Sequence, residues 1–267
     1  ETLRATINGT TYEHLSVSSS IVQSVVEALA PLMDANTAVG CTEDDLKVTC
    51  TASTAGTAFT FATTVVDVTA PVISALSFTP STGTAKIGDV ITLNITSDQT
   101  GYSAGTVTVN GVATTGFASA GGNNYSATYT VVSGNTDRSA GATPASVVLN
   151  DGDGNSNTAF TTVTTNTLAI DANAPTLVSA QTKSTTTIDL TFSEDLLGTT
   201  VTNADFAVAG FTLTTPDATE VSAGVVRLTV STPFATSATP AVSYTGSVTD
   251  LTGNAAPTAG PMTPSDG

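Results

Sequence analysis

The chain has 267 residues with 22 acidic and 6 basic side chains, one His (His14), two Cys and no Trp, giving a formal charge of −16. That excess repels phosphate backbones and anionic headgroups, and the bases (Arg4, Lys47, Lys86, Arg138, Lys183 and Arg227) form no patch, so neither nucleic acid nor membrane insertion is expected. One His leaves little material for acid–base chemistry or a His-ligated transition metal, and 56 Thr with 26 Ser favour strands over helical bundles.

Residues 1–67 are expected to form a small β-α-β-β domain. Leu3, Ala5 and Ile7 alternate along the first segment, and Glu1–Thr10 either pairs within its own domain or donates a strand to a neighbour's sheet. Ile21, Val22, Val25, Val26 and Leu29 recur at helical spacing behind serines able to cap, and Pro31 should end or kink that helix. Cys41 and Cys50 flank a polar turn with Glu43, Asp44 and Asp45 at its tip, so they can face each other on paired strands within disulfide reach. A pair of buried free thiols is the alternative, and the disulfide reading implies an oxidising, extracellular setting. Glu1 begins no signal peptide, which suggests a mature or excised region.

From residue 68 onward three patterns recur in order. Asp67-Val-Thr-Ala-Pro71 matches Asp171-Ala-Asn-Ala-Pro175, Ser97-Asp98 matches Ser193-Glu194, and Asp151-Gly-Asp-Gly-Asn155 matches Asp250-Leu-Thr-Gly-Asn254. Offsets of roughly 100 residues suit a β-sandwich domain, so two tandem copies are expected, over 68–170 and 171–267. Segments such as "VITLNIT", "NYSATYTVV", "ASVVLND", "TTIDLTFS", "FAVAGFTLTT" and "VVRLTVS" alternate with period two between Gly, Asn and Ser turns. Each copy therefore reads as two antiparallel sheets, with Pro71 and Pro175 near the first strand. The fold class is mainly β: two tandem Ig-like β-sandwich domains preceded by the small α/β domain.

The stretches "DVTAPVISALSFTPSTGTAKIGDVITLNIT" to "NDGDGNSNTA", and "LTFSEDLLGTTVTNADFAV" to "VTDLTGNAA", resemble tandem bacterial Ig-like repeats of surface adhesins, S-layer-associated and extracellular filament proteins. That resemblance implies an extracellular, structural or adhesive protein, often stiffened by calcium.

For a calcium ion, Asp151, Asp153, Asn155 and Asn157 offer side-chain oxygens at every second position of a Gly-rich loop, as a hard cation needs. The alternative is a polar turn whose Asp and Asn satisfy local backbone donors. Asp67, Asp98, Asp171, Glu194 and Asp250 are further candidates, because the resemblance implies that such positions can converge at a seam between neighbouring domains. Gly101-Tyr-Ser103-Ala-Gly105 spells a nucleophile elbow but is followed by a strand, with no His downstream, so no catalytic residue is expected. Thr161, Thr162, Thr164, Thr165, Thr185, Thr186 and Thr187 cluster outside the strongest strand signals and are candidate O-glycosylation sites.

These features point to a non-enzymatic structural subunit of a cell-surface or biofilm filament, assembling end to end with itself as partner. A stalk fragment of a carbohydrate- or host-binding adhesin or S-layer protein is the alternative. Other surface proteins or polysaccharide are the remaining expected partners.

Overall fold

The computed structural model describes residues 69–164, 166–214 and 218–267 in full, and residues 2–7, 10–15, 39–44, 47–52 and 61–66 as backbone strands. In the N-terminal part β1 (Thr2–Ile7) pairs antiparallel with β2 (Thr10–Leu15) on one edge and with β5 (Phe61–Val66) on the other. The segment considered as a donor is thus the central strand of its own sheet. A hairpin of β3 (Val39–Asp44) and β4 (Lys47–Ala52) sets Cys41 directly opposite Cys50. Asp44 pairs with Lys47, so Glu43 and Asp44 belong to a strand and not to the turn tip expected above. The helix expected over residues 21–29, the cysteine side chains, Asp67 and Thr165 lie outside the described residues.

The next strands are β6 (Ile73–Thr79), β7 (Thr82–Lys86), β8 (Val90–Ser97), β9 (Ser103–Val109), β10 (Val112–Ala113), β11 (Thr115–Gly121), β12 (Asn124–Thr130), β13 (Ala145–Asn150) and β14 (Thr167–Asp171). They form sheets of order β11-β12-β8-β6 and β10-β9-β13, the two layers of an Ig-like sandwich. The period-two pattern is the cause: Ile91, Leu93 and Ile95 are buried while Thr92 and Asn94 are less so, and Ala127 and Tyr129 repeat this on the paired strand. Each such buried aliphatic side chain contributes roughly 1.5–3 kcal/mol of burial. One expectation is corrected here. The sandwich is not purely antiparallel, because β14 returns alongside β7 in parallel, with Asp171 beside Lys86.

A second sandwich follows, built from β15 (Leu177–Ser184), β16 (Thr187–Phe192), β17 (Phe206–Val208), β18 (Thr219–Ser222), β19 (Val225–Thr229), β20 (Val242–Tyr244) and β21 (Ala259–Met262). Its sheets run β15-β16-β19-β18 and β17-β20-β21. Ile188, Leu190, Val226, Leu228, Val242 and Tyr244 are fully buried between them, and the Tyr244 ring meets Phe192 edge-on at 5.7 Å. Of "FAVAGFTLTT" only three residues form a strand, because Gly210, at φ +80, turns the chain out of the sheet.

The chain folds into two compact units. One gathers Glu1–Ile73, Ser97–Thr106 and Val148–Phe160; the other holds Ser74–Thr96, Val107–Val147 and Thr161–Gly267, including the whole second sandwich. Edges within the second unit are blunted. Two register irregularities interrupt β11, the Thr164 N–H donates to the Leu76 carbonyl of β6, and Ser265 bonds along β15.

Candidate functional site

Where the two sandwiches meet, the linker after β14 is held from both sides. On the first sandwich, the Asp137 carboxylate accepts the Ala172 N–H at 2.7 Å and the Asn173 amide at 2.6 Å, while the Gly134 N–H donates to the Ala172 carbonyl at 3.1 Å. On the second, the Thr252 hydroxyl donates to the Asp171 carboxylate at 2.6 Å, and the Asn254 amide reaches the Asp171 and Asn173 carbonyls at 3.3 Å each. Ala172 is wholly buried, so this linker has no slack backbone at that point.

The Asp250–Asn254 loop makes its half of this clamp by bracing itself. Asp250 Oδ1 accepts the N–H groups of Thr252, Gly253 and Asn254 at 2.6–2.9 Å, and Oδ2 accepts the Asn254 amide at 2.9 Å. Gly253 sits at φ +95, a conformation that disfavours a side chain. Burial pushes the Asp250 carboxyl up, but the Asn254 and Thr252 donors together outweigh it and hold the group below its ordinary range.

Beside this loop, Asp171, Glu194 and Asp250 each place a carboxylate oxygen within 4.8 Å of the other two. Among the described residues no hydrogen-bond donor reaches the Glu194 carboxylate. Burial first, then the charges of Asp250, Asp171 and Asp137, push its pKa up to about 7. Three hard oxygen donors without a basic partner fit an oxygen-seeking divalent cation such as calcium better than a thiolate- or imidazole-seeking metal.

The sequence candidates thus separate. Asp171, Glu194 and Asp250, from β14, the end of β16 and the last loop, converge. In the loop of Asp151, Asp153, Asn155 and Asn157, the Asp151 and Asn157 side chains bind donors of the loop and its flanking strand. Asp151 Oδ1 accepts the Asp153 and Asn155 N–H groups, its Oδ2 accepts the Asn155 amide at 2.8 Å, and Asn157 Oδ1 accepts the Leu149 N–H at 2.6 Å. These are the hydrogen bonds that the polar turn weighed above as the alternative calls for. Asp98 accepts the Val72 N–H at 3.0 Å and the Tyr102 hydroxyl at 2.9 Å.

The second repeat match also needs correction. Asp98 donates its N–H to Val72 and accepts the Val72 N–H, and Ser193 does both with Thr176, so Ser193 and not Glu194 occupies the place of Asp98. Glu194 lies in phase with buried Leu190 and Phe192, whereas Asp98 is out of phase with the buried Leu93 and Ile95 of the strand before it. Sequence reasoning missed Asp137, which has no partner in the repeat, and read Asn254 only as part of a recurring pattern.

Among the glycosylation candidates Thr161, Thr162 and Thr185 are exposed, the Thr164 hydroxyl donates to the Leu76 carbonyl, and Thr186 and Thr187 share hydrogen bonds with Ser184.

No family model and no curated protein matches the chain. Among solved structures it is similar to the titin Z1Z2 domains in complex with telethonin, at 10% identity and a TM-score of 0.26, over 74% of this chain and 98% of that one. It is also similar to a chimeric titin Z1Z2 carrying a KLER peptide from decorin, at 12% identity and a TM-score of 0.21, over 73% and 97%. A Z1Z2-Z1Z2 tandem carrying a GRGDS peptide from fibronectin is similar at 14% identity and a TM-score of 0.22, over 74% and 99%. Likeness at this level carries no argument about ligand or partner.

Proposed function

We propose that this chain is a non-enzymatic structural subunit of an extracellular, cell-surface or biofilm filament, in which tandem sandwiches serve as stiff spacers. The observation that carries this reading is the linker clamp: Asp137 on one side binds Ala172 and Asn173, and Thr252 with Asn254 on the other bind Asp171 and Asn173. A swivelling joint would leave those backbone groups to water. Calcium held by Asp171, Glu194 and Asp250 would neutralise the uncompensated charge at the joint and stiffen it further. Blunted edges in the second unit favour end-to-end over edge-to-edge assembly. Strand donation by Glu1–Thr10 would require β1 to leave both of its partners. Other surface proteins or polysaccharide are the further partners in this reading, and an oxidised Cys41–Cys50 pair and O-linked sugars on the exposed threonines complete it.

Negative-stain images of the purified chain, with and without residues 1–10, test the assembly. Polymers from the intact chain support the filament, and their loss on deletion with both sandwiches still folded assigns the contact to the N-terminal sheet of which β1 is the central strand. Isolated rods from both at all concentrations overturn the filament and leave the stalk of an adhesin or S-layer protein.

A further inference from the structure

Asn254 is 3% exposed and its carboxamide bridges the two sandwiches, reaching a partner 167 residues away in sequence. Its Oδ1 accepts the N–H of Ile87, in the turn after β7 of the first sandwich, at 2.8 Å. Its Nδ2 lies 2.9 Å from Asp250 Oδ2, 3.0 Å from Thr252 Oγ1, and 3.3 Å from each of the Asp171 and Asn173 carbonyls. A carboxamide has two N–H groups, so those four acceptors share them, and the oxygen is committed to Ile87. The loop holds this orientation with its own bonds, because Asp250 Oδ1 binds three successive N–H groups and Gly253 permits the turn.

We infer that Asn254 is an interdomain latch that couples the turn at Ile87 to the second sandwich, so that this turn is protected only while the second sandwich is folded. This deepens the stiff-spacer reading and rests on it. Domains joined by free linkers open independently. Here an amide of the first sandwich has its acceptor on the second, and the linker between them is bound on both flanks. Neighbouring amides supply internal references. The Gly88 N–H donates to the Val131 carbonyl within the first sandwich at 2.9 Å, and the Phe192 N–H donates to the Gly224 carbonyl within the second at 2.7 Å.

Amide hydrogen exchange on the full chain tests this. In Asn254→Ala the Ile87 amide should exchange at least ~10-fold faster while Gly88 and Phe192 keep their rates, the loss of one net hydrogen bond. Unchanged Ile87 exchange overturns the latch. If Asn254→Ala also loosens Phe192, the core variant Leu190→Ala decides. Coupling requires Ile87 to accelerate in step with Phe192 while Gly88 does not, and an Ile87 rate blind to that change overturns the inference. Polymers with an uncoupled seam would remove the latch alone, whereas a coupled seam in a chain that never polymerises would remove the filament alone.

Discussion

Replacing Glu194 by Gln perturbs the seam's charge with little change of shape. In the folded chain the Glu194 carboxyl titrates near 7 instead of 4.5, from burial first and from the fields of Asp250, Asp171 and Asp137. The raised value means that folding favours the protonated form. Its stabilising contribution is fully present below about pH 4.5 and is lost as pH rises through about 7. The gap corresponds to about 3 kcal/mol at roughly 1.4 kcal/mol per pH unit, and residual solvent contact trims it to about 1–2 kcal/mol. At pH 8 with chelator, Glu194→Gln should therefore raise the stability of this part of the chain by about 1–2 kcal/mol, seen as a higher melting temperature. At pH 4 the two proteins should melt together. Calcium at millimolar concentration should raise the wild-type melting temperature and reverse the order at pH 8. A Gln variant that melts lower than wild type in chelator at pH 8 would refute the charge-crowding argument; a calorimetric scan indifferent to calcium would refute the cation.

Leu190→Ala, at a fully buried position of the second core, should cost about 2–5 kcal/mol by chemical denaturation. Asp205 is 4% exposed and accepts from the Thr202 and Ser247 N–H and hydroxyl groups. Burial pushes its pKa up, but those donors outweigh that and hold it down, so its contribution is present above its ordinary range and lost as pH falls through the lowered value. Asp205→Asn should cost about 2 kcal/mol at pH 7 and less at pH 2. Arg227→Ala, breaking the two 2.7 Å contacts to Asp189 on an open sheet face, should cost about 1 kcal/mol or less in low salt. Reduction should add two hydrogens to the intact mass if Cys41 and Cys50 are bonded, and any larger excess over the sequence mass measures glycans.

The sandwiches were legible because their strands are written in period two with one buried face. "ITLNIT" and "IDLTF" alternate cleanly, and the core follows them. Where strands are short, as at Phe206–Val208, composition alone overextended them, since Thr and Val favour strand conformation even in a loop. The parallel β7–β14 pair was illegible because nothing local to either strand encodes the partner's direction. Part of the acidic seam could be read, since D-x-x-A-P and D-x-x-G-N both recur. The alignment of Asp98 with Glu194 failed by one residue, and one residue in a strand exchanges the two faces. The loop at Asp151 looked the better cation site because its oxygens alternate, yet the same spacing lets them satisfy the loop's own donors.

The few basic residues have a consequence for durability. Proteases that cut after Lys or Arg need an extended, unpaired segment on both sides of the bond. Among the described residues Lys86 ends β7 beside β14, Lys183 lies within β15, Arg227 lies inside β19, and Arg138 exchanges backbone hydrogen bonds with Ile170. Three of these cleavage points are tied into paired sheet or bridge, Lys183 sits at a register irregularity within β15, and between Lys86 and Arg138 the chain offers no other. Digestion there must wait for the fold to open, so survival in a protease-rich medium would report how seldom these sheets part.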